Sequence, residues 1–147
     1  VYLIKTGISG NLSLFLRNFI FEFFDQQPTN MRIAYLRQRL LVMIFREILT
    51  ERGVKTTREG DDIFVDGRKL SISIASVSLS SAKIHFALNL EDKGTPGDVD
   101  TIGLYDIDDG SVFNENNLND LIFDVVNRFI DEIETIEKDI SKTKVLV

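Results

Sequence analysis

The stretch Asp61-Asp62-Ile63-Phe64-Val65-Asp66-Gly67-Arg68-Lys69-Leu70-Ser71 decides the fold. Asp62 to Val65 reads as a short strand bounded by turn residues, and Asp66-Gly67 is a strong hairpin signal. Arg68 to Ser78 then reads as one long strand. Ser80-Ser81-Ala82 turns the chain, and Lys83 to Glu91 returns it. Upstream, Val54 to Arg58 supplies a further strand, closed by Glu59-Gly60-Asp61. The expectation is a meander of about four antiparallel strands.

Outside this block the period changes to that of helices. A first helix is predicted over Asn11 to Phe24, where Leu12, Phe15, Leu16, Phe19, Ile20 and Phe23 recur at i, i+3, i+4 spacing. A second starts at Thr29 or Asn30, both good caps. It runs through Ile33, Leu36, Leu40, Leu41, Ile44, Ile48 and Leu49 to Gly53, with Arg37, Gln38, Arg39, Arg46 and Glu47 on its wetter side. Asp92 to Gly110 reads as a long loop with a short strand near Thr101 to Leu104. A final amphipathic helix is predicted over Asn117 to Ile140, its apolar face carrying Leu118, Leu121, Ile122, Val125, Val126, Phe129, Ile130, Ile133 and Ile136. Val145 to Val147 could add an edge strand. The fold class is therefore α+β, an antiparallel sheet meander with helices packed mainly on one face, in a single domain over residues 1–147.

The chain has 147 residues, enough for one core, with 44% hydrophobic and 27% charged residues, which argues against general disorder. Its net charge of −6 repels a phosphate backbone, so nucleic acid is not an expected partner. With no cysteine, disulfides, thiolate metal sites and thiol nucleophiles are excluded. The single histidine, His85, excludes a multi-histidine metal site within one chain; no metal site is assigned, although carboxylates leave magnesium open. No apolar run approaches the ~20 residues needed to span a bilayer, and the N-terminus lacks a secretory pattern. The expected compartment is the cytoplasm, with no membrane partner.

Side chains alternate across a sheet. If the apolar faces of the hairpin coincide, Leu70, Ile72 and Ile74 lie with Ile84, Phe86, Leu88 and Leu90. The other face then gathers Lys69, Ser71, Ser73, His85, Ala87 and Asn89. Small residues leave room for a ligand, Lys69 offers a compact positive charge, and Asn89 can both donate and accept. The same pattern also fits a plain solvated sheet surface, and both readings stay open on the residues alone.

The segment Asp61 to Ser71 resembles the strand pattern of the biotin and lipoate protein ligases, in which an acidic strand and turn lead into an Arg/Lys-Lys-Leu/Ile-Ala/Ser-Gly motif. Ile84-His85-Phe86-Ala87-Leu88-Asn89 is similar to their next strand. More closely, Gly60 to Asn89, with Gly94-Thr95-Pro96 and Gly103-Leu104 after it, resembles an archaeal family of uncharacterised proteins sharing that fold; Leu36 to Leu41 and the acidic last helix fit the same family. The fold implied is that of the class II synthetase/biotin-lipoate ligase catalytic domain. The resemblance implies that Lys69 touches a ligand's carboxyl group and its activating phosphate, stabilising developing negative charge, and it implies ATP with magnesium as cofactors. The chain departs from the ligases where Ile72 replaces a ligand-admitting glycine, in having no Gly/Arg-rich adenylate loop, and in lacking the cysteine of octanoyl transferases. Relative to the archaeal family, the chain is read as beginning after an upstream strand-forming segment.

For a triad around His85, Ser71, Ser73 and Ser76 to Ser81 provide hydroxyls, but nothing resembles a nucleophile elbow. Asp98, Asp100, Asp106, Asp108 and Asp109 do not match an EF-hand and read as solvated loop carboxylates; Gly94-Thr95-Pro96-Gly97 lacks the ending of a phosphate loop. Two functional readings follow. In one, the chain binds a small carboxylate, acyl-adenylate or nucleotide through Lys69, Ser71, Ser73, His85 and Asn89, with Lys69 also the catalytic candidate. In the other, it is a non-catalytic, homo-oligomer-forming protein, suggested by its aromatic N-terminal segment.

Overall fold

The computed structural model describes residues 2–10, 14–25, 27–92 and 99–143. Its elements are β1 (Tyr2–Gly10), β2 (Leu14–Phe23), α1 (Met31–Glu51), β3 (Thr57–Glu59), β4 (Asp62–Val65), β5 (Arg68–Lys69), β6 (Ser71–Val77), β7 (Ala82–Asp92), a 3₁₀ segment (Leu104–Gly110) and α2 (Leu118–Lys142). Two sheets form, one of four strands in the order β1-β2-β7-β6 and one of three in the order β3-β4-β5. All their strand pairs are antiparallel. The predicted Gly94-Thr95-Pro96-Gly97 stretch, Asp98, residues 11–13 of the predicted first helix and Val145 to Val147 lie outside the described residues.

The predicted first helix is instead strand β2. Phe19, Phe21 and Phe23 are buried at alternate positions, with Asn18, Ile20 and Glu22 between them on the other face. β7 and β1 pair with β2 on its two sides, so every second phenylalanine enters the core. Phe21 and Phe23 both meet the ring of Phe129 edge-on, at centroid distances of 4.8 and 6.1 Å. Phe86 of β7 meets Phe45 of α1 at 5.4 Å. Both helices therefore pack on the same face of the four-stranded sheet.

Helix α1 begins as its sequence dictates, with Asn30 accepting from Ile33 N–H at 3.1 Å. Gly53 follows its end at φ +79°. Two residues expected on its wet side, Arg37 and Gln38, are buried, while Leu36 is exposed. Arg37 is held by a two-pronged pair with Asp25, at 3.0 and 2.6 Å, and lies 4.3 Å above the Phe23 ring. The hairpin turn forms as expected, with Asp66 and Gly67 at φ 50° and 73°, a pair of positive values that suits a tight two-residue connection. The last helix buries the expected residues except Ile136, which is exposed, and Val126, which packs against the core's edge.

The predicted long strand, Arg68 to Ser78, is two strands in two sheets. Leu70 is the crossing point: its N–H donates to Ile63 O at 2.8 Å in one sheet, and its carbonyl accepts from Asn89 N–H at 3.0 Å in the other. Leu70 and Ser71 are both fully buried in succession, so the alternation breaks there. The 99–103 segment closes beside Lys69, whose N–H donates to Asp100 O at 2.8 Å and whose carbonyl accepts from Ile102 N–H at 3.0 Å.

Candidate functional site

The break at Leu70 changes which residues share a face. Ser73 stands opposite Phe86 and Ala75 opposite Ile84, on the side the helices cover. Ile72 stands opposite Ala87, and Ile74 opposite His85, on the outer side. The predicted register, with Ile72 and Ile74 facing the core beside Ile84 and Phe86, is thereby corrected. Its premise was that this sheet has one apolar face, whereas both faces carry aliphatic residues.

Ser71 and Ser73 consequently have structural partners. Ser71, fully buried, accepts from Ile63 N–H at 3.1 Å, which satisfies a hydroxyl that would be costly to bury alone. Ser73 donates to Asp61 Oδ2 at 2.8 Å and accepts from Gln38 Nε2 at 2.9 Å. Gln38 also donates to the same Asp61 oxygen at 3.1 Å. These bonds tie β6 to α1 and to the β3–β4 turn.

Lys69, His85 and Asn89 are placed differently. Lys69 shares a face of the small sheet with Asp62 and Phe64, and its Nζ lies 2.9 Å from Asp62 Oδ1. Asn89 follows His85 and Ala87 in the outward alternation of β7, yet it is only 1% exposed. Its Nδ2 donates to Lys69 O at 3.1 Å, and its Oδ1 is a buried acceptor with no hydrogen-bond partner among the described residues. His85 is exposed, and its Nε2 lies 2.8 Å from Asn18 Oδ1. Asn18 Nδ2 in turn donates to Ser9 Oγ at 2.6 Å, so a polar line crosses three strands on the outer face. The structure thus brings Asn89 against the Lys69 main chain and sets His85 on the outward side of the same strand, while Ser71 and Ser73 turn away.

The next row of the outer face carries Gly7, Asn18, Ala87 and Ile72 in register. A Cβ added to Gly7 would meet nothing within 4 Å, so the face is open at that edge. Asn18, Asp61, Asp62 and Gln38 escaped the sequence reading as site residues. Asn18 would have been visible had β2 been read at period two, since it then falls on the face of His85.

A family model described as "Domain of unknown function (DUF366)" matches residues 7–144. The chain belongs to this family. An uncharacterised protein of Methanocaldococcus jannaschii is 35% identical over 144 residues, covering 98% of this chain and 60% of the relative. A solved protein of unknown function from Pyrococcus horikoshi shares 35% identity with a TM-score of 0.77, covering 90% of this chain and 66% of the other. The chain thus spans about three-fifths to two-thirds of these relatives. The biotin protein ligase from Aquifex aeolicus in complex with biotin and ATP superposes at a TM-score of 0.63 with 14% identity, covering 84% of this chain and 52% of the ligase. At that identity the likeness shows a common fold, and the family is an α+β family of biotin protein ligase-like architecture. Among the described residues no helix is long and apolar enough to cross a membrane.

Proposed function

We propose that this family member binds a small carboxylate, free or as an acyl-adenylate, or a nucleotide, against the outer sheet face beside Lys69 and Asn89, and that any chemistry it performs is of the ligase or transferase kind. The observation that carries this reading is the buried, unpartnered Oδ1 of Asn89. A buried acceptor left alone costs about 1–3 kcal/mol, so an N–H or O–H on the ligand's body recovers that cost, while its carboxylate, an acceptor only, is left to Lys69. Lys69 supplies the charge for an anion. Its ammonium has three donors, of which Asp62 needs one. His85 assists through the exposed edge of its ring, oriented by Asn18.

The ligase resemblance would bring ATP and magnesium. Lys69 suits a phosphate, but its ammonium already pairs with Asp62, and the nearby hollow that carries Asp92, Asp100, Asp106 and Asp109 is lined by Arg68 rather than Lys69. Without a cation, those four carboxylates repel a triphosphate entering there. The residues around Lys69 do not fit a triphosphate, and no adenylation step is derived.

The test is thermal unfolding with ATP and magnesium, biotin, lipoate, octanoate and common nucleotides, on the natural chain and on Lys69→Ala. A ligand at 100 times its dissociation constant stabilises by ~2.7 kcal/mol. For a chain of this size that raises the melting temperature by several degrees, at roughly 2–4 °C per kcal/mol. No shift with any compound, or a shift that Lys69→Ala retains in full, rejects the reading.

A second reading has its own support. Ile74, Ile72 and Leu3 lie on the same outer face and are 61%, 42% and 43% exposed. An aliphatic sheet surface of this kind suits burial in a non-catalytic homo-oligomer. Sedimentation at rising concentration tests it, and a strictly monomeric chain rejects it.

A further inference from the structure

At the end of the four-stranded sheet, where β2 and β7 approach the 3₁₀ segment and the start of α2, lies a cavity of about 550 Å³. Phe15, Leu90 and Leu118 line it with apolar surface, and Arg17, Tyr105 and Glu115 supply its polar groups. Arg17 lies opposite Leu88, and Leu90 shares that side of β7, whereas Asn89 and His85 point to the other. The cavity is therefore separate from the face beside Lys69.

Arg17 is incompletely satisfied. Its Nη2 donates to Thr6 Oγ1 at 3.2 Å, but its Nε–H is buried with no acceptor among the described residues. A buried guanidinium donor without a partner is costly, and a carboxylate is the group whose geometry it matches. Glu115 is exposed, and it makes no hydrogen bond or ion pair with another described residue. Burial raises the pKa of Tyr105; Glu115 and Glu91 raise it further and Arg17 opposes them. Charges of both signs thus converge on one neutral hydroxyl at the cavity wall.

This balance limits what can bind. A ligand bearing only a carboxylate meets Arg17 but adds negative charge beside Glu115. A ligand bearing only an amine meets Glu115 but leaves the Arg17 Nε–H without an acceptor. We propose that the cavity binds a small zwitterion with an apolar body, its carboxylate on Arg17, its ammonium toward Glu115 and its body against Phe15, Leu90 and Leu118. This site is independent of the function proposed for the outer face.

The experiment is isothermal titration of the full chain with three probes of one shape: L-phenylalanine, 3-phenylpropionate and phenethylamine. L-phenylalanine is expected to bind saturably at one site, about tenfold or more tighter than either single-charge probe, since each lost contact is a charge-assisted hydrogen bond. Arg17→Met and Glu115→Gln are each expected to weaken L-phenylalanine by about tenfold or more, and Lys69→Ala to leave it unchanged. Circular dichroism shows whether Arg17→Met has folded; Glu115→Gln changes an exposed side chain and keeps the test decisive if it has not. The proposal is overturned by no binding of L-phenylalanine, by equal binding of 3-phenylpropionate or phenethylamine, or by full affinity in Glu115→Gln. Loss of binding in Lys69→Ala also overturns it, by placing the ligand on the outer face.

Discussion

Asn89→Leu separates a structural role for this residue from a ligand-directed one. The substitution replaces a nearly fully buried amide with an apolar side chain of similar size and branching. It removes one hydrogen bond, Nδ2 to Lys69 O, with a net worth of about 0.5–1.5 kcal/mol. The Lys69 carbonyl keeps its second donor, Ile102 N–H at 3.0 Å, so no main-chain acceptor is stranded. The same change removes an acceptor, Oδ1, whose unpartnered burial costs about 1–3 kcal/mol. The two terms oppose each other, so the free protein should lose no more than about 1 kcal/mol, and a modest gain fits equally well. The melting temperature should fall by no more than about 4 °C. Equilibrium unfolding in urea measures the difference, and the ligand panel measures whether binding is lost. A destabilisation above about 3 kcal/mol would refute the argument, because it would mean that Oδ1 is engaged in a buried network.

Three further changes probe the frame around the site. Phe21→Ala empties a fully buried ring position that packs on Phe129, and it should destabilise by about 3–5 kcal/mol in chemical unfolding; a loss below about 1 kcal/mol would put β2 outside the core. Gly103→Ala should destabilise severely or prevent folding, because a Cβ there runs into the Leu90 carbonyl and the Glu91 nitrogen, which are backbone and cannot swing aside; wild-type expression and melting temperature would contradict that close approach. Hydrogen bonds from Arg37 hold the Asp25 carboxyl below its ordinary value of 3.8. A lowered folded pKa contributes stability that is present above the unfolded value and is lost as pH falls through the folded one. Melting temperatures below about pH 4 should therefore fall more steeply in the natural chain than in Asp25→Asn, and parallel curves would remove Asp25 from the acid response.

Much of the fold was legible where local chemistry decides it. Asp66-Gly67 can adopt two successive positive φ values, Asn30 offers a capping oxygen, and α2 keeps a helical apolar stripe over most of its length. β2 was not legible in this way. Phe15, Phe19 and Phe23 satisfy a helical spacing, while Phe19, Phe21 and Phe23 satisfy a strand's. Aliphatic residues on the outer side, Leu16 and Ile20, erased the polar alternation that would have separated the two. The choice was made by pairing with β7 and β1, which are far away in sequence and close in space.

The site divides along the same physical line. Residue chemistry and motif point to Lys69 and Asn89, and the two meet because the Asn89 amide reaches the Lys69 carbonyl across the sheet junction. Ser71 and Ser73 follow from Lys69 at alternate positions, and that alternation fails at a strand that changes sheets. Leu70 must donate to Ile63 on one side and accept from Asn89 on the other, so the chain bends between them and two consecutive residues turn inward. Every position beyond the bend then exchanges faces. The exchange puts Ile72 on the outer face opposite Ala87. A ligand on that face must lie beside the Ile72 side chain rather than over bare backbone. Ile72→Gly should therefore strengthen binding of bulky carboxylates in the panel if the outer face is the site, and it should leave L-phenylalanine binding at the Arg17 cavity unchanged.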